Sequence, residues 1–139
     1  MPSFVDTNIL IYAEDRDAGS KHTVARDLVL DLWQSQDGVV SIQVLQELYV
    51  NLTRKVKKPI SAAKAREIVE DYLTWSVVEN TKGLLTSALK LHSDAQLSFW
   101  DAMVVQAAIV SGCDRLYTED LNPGQRFGSL TLVNPFKRA

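Results

Sequence analysis

Asp6, Glu47, Asp101 and Asp120 are spread over the whole chain, yet each follows a short apolar run that reads as a strand, or stands on a helix after one. Carboxylates drawn together from distant segments form an oxygen-only cluster, and such clusters suit Mg²⁺ or Mn²⁺. Cys113, His22 and His92 have no zinc-site spacing and do not compete for the role. His22 reads as a surface residue and His92 as a helix-end cation.

Each acid also has an ordinary explanation. Asp6, in Val5-Asp6-Thr7-Asn8, fits the N-cap of a short helix that starts there. Ser98-Phe99-Trp100-Asp101 fits a capping box, in which Asp101 bonds back to the Ser98 amide. The helix behind Asp101 argues for more, because from Ala102 to Val110 only Gln106 is polar and burial is expected nearly all round. Asp101 shares a helical face with Val104, Val105 and Ala108, where a carboxylate is costly unless paired, neutralised or bound to a cation.

Glu47 falls off the apolar stripe Val44, Leu45, Leu48, Tyr49, Leu52 and Val56, beside Gln43, Asn51 and Arg54. That face is either a solvated surface or one wall of a cleft, with Asn51 as a supporting hydrogen bonder and Arg54 as a phosphate contact. Asp120, in Thr118-Glu119-Asp120-Leu121-Asn122-Pro123-Gly124, suits a turn as well as a site. The conjunction of the four favours one cation site.

The elements that must position these acids are legible as an alternation. Short apolar runs at 4–5, 39–40, 77–78, 116–117 and 130–133 predict five strands, and helical patterns span 21–34, 43–57, 61–73, 82–93 and 99–111. Pro59 and Ser61 mark one helix start and Ser98 another. Strands and helices in alternation predict a three-layer α/β/α fold around a mostly parallel five-stranded sheet. Ligands in such folds bind beyond the carboxyl ends of the strands, where the strand order reverses. If the first and fourth strands are neighbours there, Asp6 and Asp120 meet.

The chain has 139 residues, 46% of them hydrophobic, which predicts one domain over 1–139. A net charge of -2 lacks the basicity of many nucleic-acid binders. Setting the four site acids apart from the 17 Asp and Glu leaves 13, against 15 Lys and Arg, so the remaining surface tolerates a polyanion. The single cysteine, the lack of a secretory signal and the lack of a long apolar run predict a soluble protein of a reducing compartment, the cytoplasm.

Five segments carry a resemblance: Phe4-Val5-Asp6-Thr7-Asn8-Ile9-Leu10, Ser41-Ile42-Gln43-Val44-Leu45-Gln46-Glu47-Leu48, Ser98-Phe99-Trp100-Asp101-Ala102, Leu116-Tyr117-Thr118-Glu119-Asp120-Leu121 and Asn134-Pro135-Phe136. In order and spacing the chain resembles the PIN-domain ribonucleases, in particular the VapC-type toxins of bacterial toxin-antitoxin pairs. The resemblance implies a five-stranded parallel sheet and an acidic Mg²⁺/Mn²⁺ pocket built from Asp6, Glu47, Asp101 and Asp120, with Thr7, Asn8 and Thr118 in support. Glu119 adjoins Asp120, and of the two Asp120 occupies the motif position.

On that reading Asp6 and Asp101 are the direct ligands, and Glu47 and Asp120 act through water. RNA is the expected substrate, a cognate antitoxin and a second copy of the chain the expected partners. Within the basic run 54–58, Arg54 and Lys55 are candidate RNA contacts together with Asn51, and Arg16 and Lys21 follow them. Tyr12, Tyr49, Trp100 and Tyr117 are available to stack bases, core packing being the alternative for most. Trp33 and Trp75 read as packing or interface residues. A binding module that keeps the fold and its acids without cleaving RNA is the other reading. A phospho-accepting receiver fits poorly, because Lys137 comes too late.

Overall fold

The computed structural model describes residues 1–137; Arg138 and Ala139, the end of the expected 1–139 domain, lie outside the described residues. The elements are β1 (Ser3–Val5), α1 (Thr7–Glu14), α2 (Ser20–Ser35), β2 (Gly38–Ser41), α3 (Ile42–Val50), α4 (Ala62–Tyr72), β3 (Ser76–Val78), α5 (Lys82–Ala95), α6 (Phe99–Val110), β4 (Arg115–Tyr117), β5 (Arg126–Phe127) and β6 (Leu130–Val133). A short 3₁₀ turn at Arg16–Ala18 joins α1 to α2, and Asn51–Lys55 continues α3 as a π-helical turn.

The sheet order is β3-β2-β1-β4-β6-β5, with every pair parallel except β5–β6. The five expected strands are all present and mutually parallel, and the sheet has six strands rather than five. The sixth, β5, is a two-residue antiparallel edge strand that folds back on β6. β1 and β2 are buried along their whole length, as central strands covered on both faces must be.

Chain direction explains the layers. From β1 to β2 to β3 the sheet grows one way; β4 then lands on the other side of β1. Right-handed crossovers therefore put α1 to α4 on one face and α5 with α6 on the other. The packing agrees: α1 lies against α2 and α3, α3 against α4, and α5 against α6, which rests on β2 and β4. Phe4, Ile9, Leu48, Val105, Leu116 and Leu132 are fully or almost fully enclosed between the layers.

Helix starts are local and readable. Ser41, Ser61, Thr81 and Ser98 cap α3, α4, α5 and α6 through side-chain oxygens that accept amides three residues on. Of the aromatic residues, Trp33, Tyr72 and Trp75 form one cluster with ring centroids 5.0 to 5.5 Å apart. Trp100 is instead 62% exposed. His22 is half-buried, with Nδ1 2.8 Å from the Tyr12 carbonyl, so it is not a free surface group.

Gly38 opens β2 directly beneath Trp75. A Cβ built there would stand 2.5 Å from Cε3 and Cζ3 of the indole, well inside contact distance. Gly38→Ala is expected to lower stability by about 1–3 kcal/mol, read as a drop in the urea midpoint with m unchanged. Among the described residues no helix is long and apolar enough to cross a membrane.

Candidate active site

β1 and β4 are hydrogen-bonded neighbours in the register Val5↔Tyr117, and the Asp6 amide extends the ladder by donating to the Tyr117 carbonyl at 2.9 Å. This is where the strand order reverses. Asp6 and Thr118 therefore leave adjacent strands side by side, and the Thr118 hydroxyl donates to Asp6 Oδ2 at 2.8 Å. The Asp6 side chain also caps α1, with Oδ1 accepting from the Thr7 amide at 2.7 Å. The cap and the site are the same carboxylate.

Helix α1 acts as a hub for three acids from two other places, α3 and the loop after β4. The Thr7 hydroxyl donates to Glu47 Oε2 at 3.1 Å, and Asn8 Nδ2 donates to Asp120 Oδ2 at 3.0 Å. Further along the same helix, the Tyr12 hydroxyl donates to Glu119 Oε1 at 2.7 Å. Glu47 is half-buried and its second oxygen accepts from Gln43 Nε2 at 3.0 Å, so its carboxylate is held by protein partners and is not a freely solvated group. Gln43, itself buried, is a supporting residue that sequence reasoning did not single out. Its only signal was its place four residues before Glu47. The Asn51 amide donates to the Glu47 main-chain carbonyl at 2.8 Å, which leaves the carboxylate to Thr7 and Gln43.

Glu119 and Asp120 point to different partners. Glu119 turns away and is held by Tyr12 and by the Lys21 ammonium. Burial alone would raise its pKa, but the bonds from Lys21 and Tyr12, with the lysine charge, outweigh it and hold the carboxyl below the ordinary glutamate range. Asp120 is bonded to Asn8, its amide donates to Thr118 Oγ1 at 3.3 Å, and its charge acts on Asp6.

Asp101 arrives from the opposite layer. The Asp114 amide bonds to the Pro2 carbonyl and ties the end of α6 to the amino edge of the sheet. At 1.5 Å per residue the helix then runs about 18 Å back, which sets its first turn toward the carboxyl edge of the sheet. Ser98 Oγ accepts from the Asp101 amide at 3.1 Å, but the reciprocal half of a capping box is not formed. Among the described residues the half-buried Asp101 carboxylate makes no hydrogen bond or ion pair. It is not bonded to the other three acids, whereas Asp6, Glu47 and Asp120 share one network.

Asp6 is 7% exposed, and its pKa is raised from 3.8 to about 6. Burial is the main cause; bonds from Thr118 and Thr7 oppose it, and the charges of Asp120 and Glu47 add to it. Asn8 Oδ1 is buried with no hydrogen-bond partner among the described protein atoms. A buried acceptor beside crowded carboxylates matches a hydrated divalent cation, whose waters supply donors and whose charge offsets the repulsion. Among the described residues no three Asp, Glu, His or Cys side chains stand close enough to enclose an ion. The donor set thus fits a cation held by one or two carboxylates and several waters, the habit of Mg²⁺, and does not fit a closed protein cage.

The exposed Arg54 and Lys55 lie on the π-helical turn that extends α3 beyond Glu47. Arg16 is exposed as well, whereas Lys21 is committed to Glu119.

An open, nearly all-parallel α/β sheet with carboxylates gathered at its switch point sets the class of fold. Within that class, the PIN domain family matches residues 3–125, and this chain belongs to it. It is 26% identical to ribonuclease VapC24 of Mycobacterium tuberculosis over 94% of each chain. Among solved structures it is similar to VapC20 of Mycobacterium tuberculosis, a toxin that cleaves the Sarcin-Ricin loop, with a TM-score of 0.66 and 25% identity over 85% of this chain and 89% of that one. A toxin-antitoxin complex from Klebsiella pneumoniae has a chain of the same fold, with a TM-score of 0.70 and 18% identity over 98% and 99% of the two chains.

Proposed function

We propose that this protein is a divalent-metal-dependent endoribonuclease that hydrolyses RNA phosphodiester bonds, and the cytoplasmic toxin of a toxin-antitoxin pair. The observation that carries the reading is Asp6, a buried carboxylate at the switch point, crowded by Glu47 and Asp120 and placed beside the unpartnered Asn8 carbonyl. The family and the ribonuclease relatives support the same chemistry.

Mg²⁺ or Mn²⁺, when bound, supplies an activated water and offsets charge on the phosphoryl oxygens. The chain holds and orients. Asp6, on the end of a central strand, and Asp101, on the first turn of a buried helix, would be the ligands of the ion, with Glu47 and Asp120 acting through water; Thr7 and Gln43 hold Glu47 in place, and Asn8 and Thr118 hold Asp120. Glu119, beside Asp120 in the chain, stays outside the pocket in the hold of Tyr12 and Lys21. Arg54 and Lys55 meet the RNA backbone along the extended end of α3, with Asn51 contributing the amide atoms that Glu47 leaves free. The chain works as a homodimer, and a cognate antitoxin silences it by covering the cleft. The relatives of this fold seen in toxin-antitoxin complexes support that partner.

Incubating the purified protein with pooled RNA, in Mn²⁺ and in EDTA, tests the activity. Internal cleavage that EDTA abolishes is expected; RNA left intact in both buffers selects a binding module instead. Thr118→Val removes a bond to Asp6 and the support of the Asp120 amide. It is expected to weaken Mn²⁺ binding by roughly 10–100-fold in calorimetry while the protein stays folded.

A further inference from the structure

Glu119 and Asp120 are neighbours on the loop after β4, and only the charge of Asp120 acts on Asp6. A second acid from this loop would crowd Asp6 further, because like charges at one site raise each other's cost. The structure contains a specific hold on Glu119. Its Oε1 accepts from the Tyr12 hydroxyl at 2.7 Å, and its Oε2 takes the Lys21 ammonium. The ammonium also stands 5.1 Å from the centroid of the Tyr12 ring and 5.5 Å from that of Phe136. The two rings meet edge to face at 5.3 Å.

The box is anchored on every side. The Tyr12 carbonyl is bonded to His22 Nδ1 at 2.8 Å, and the Phe136 amide donates to Asn134 Oδ1 at 2.9 Å, with Asn134 buried. Three segments, around Tyr12, Lys21 and Phe136, thus gather about one carboxylate, which Tyr12 and Lys21 bond. A lone surface ion pair contributes little to stability. Here the lysine is only 44% exposed and the glutamate 24%, and two aromatic faces fix the ammonium.

We propose that Tyr12 and Lys21 are positioning residues that hold Glu119 out of the acid pocket, so that Asp120 alone enters from this loop and the pocket keeps its affinity for a divalent cation. The inference rests on the metal-dependent reading above. Lys21 is then a residue whose task is to neutralise and restrain a surplus acid, and its effect on the cation runs entirely through Glu119.

That dependence gives the test. Mn²⁺ binding is measured by calorimetry, and metal-free melting by circular dichroism, for wild type, Lys21→Met, Lys21→Arg, Glu119→Gln and the Lys21→Met/Glu119→Gln double variant. Lys21→Met is expected to weaken Mn²⁺ binding by about tenfold, with Lys21→Arg close to wild type. The double variant is expected to return to within about threefold of Glu119→Gln alone, because the acid that needed restraint is gone. Tyr12→Phe removes one hydroxyl and carries the same test, with a smaller loss, should Lys21→Met not fold. A double variant as weak as Lys21→Met, or a Lys21→Met that binds Mn²⁺ like wild type, overturns the proposal and leaves the metal reading standing. A wild type that binds no Mn²⁺ overturns the metal reading and the proposal with it.

Discussion

Asp6→Asn is expected to melt at a higher temperature than wild type in metal-free buffer and yet to cut RNA at least about 100-fold more slowly. The two effects share one cause. Asp6 is buried to 7% exposure, and its charge is opposed by burial and by the charges of Asp120 and Glu47. An amide of the same shape can still accept from the Thr7 amide through its oxygen and turn its NH2 to donate to the Thr118 oxygen, and it carries no charge to desolvate. Without a cation the substitution relieves a cost; with one, it removes the anion that the cation needs. Melting curves in EDTA and cleavage rates in Mn²⁺ separate the two. A variant that melts below wild type in EDTA would mean that Asp6 stabilises the fold as a charged cap, contrary to the account.

The second large effect is on pH. Because the folded-state pKa of Asp6 is raised from 3.8 to about 6, the native protein holds this proton at pH values where the unfolded chain has lost it. The resulting stabilisation is complete below about pH 4 and is lost as pH rises through about 6. It amounts to something on the order of 3 kcal/mol for a shift of this size. Other acids titrate in the same range, so the quantity to follow is the difference in urea stability between wild type and Asp6→Asn. In metal-free buffer wild type should fall behind the variant progressively between about pH 4.5 and pH 7. Saturating Mn²⁺ should reverse the trend, because the cation binds the deprotonated carboxylate. A difference that stays flat with pH contradicts an uncharged Asp6 at low pH.

Much of the framework was legible because it depends on local pattern. The five parallel strands are short runs of Val, Leu, Phe and Tyr, and the capping residues Ser61 and Ser98 announce two of the helices. β5 escaped notice because Arg126–Phe127 has no strand pattern of its own; it exists through its pairing with Leu130 and Thr131. The convergence of Asp6 and Asp120 followed from switch-point geometry once β1 and β4 were neighbours. Asp101 stood out as the acid on an apolar helix, and the half-made capping box leaves its carboxylate uncommitted. What the sequence could not show lies in contacts across long separations. Thr7 bonds Glu47, and Tyr12 and Lys21 bond Glu119, from positions 40, 107 and 98 residues away. No spacing rule connects such pairs. Gln43 was passed over for the same reason: its burial comes from the tertiary fold, while its sequence neighbourhood reads as the polar side of a helix.

The central claim is that acids from four separate segments form one cation pocket. Mn²⁺ binding by the metal-free protein near neutral pH, measured by titration calorimetry for wild type and for Asp6→Asn, Glu47→Gln, Asp101→Asn and Asp120→Asn, tests it most directly. The account predicts that wild type binds and that each substitution weakens binding by roughly tenfold or more, with Asp6→Asn and Asp101→Asn losing most. Wild type that takes up no Mn²⁺, or acid variants that bind it as wild type does, would contradict it.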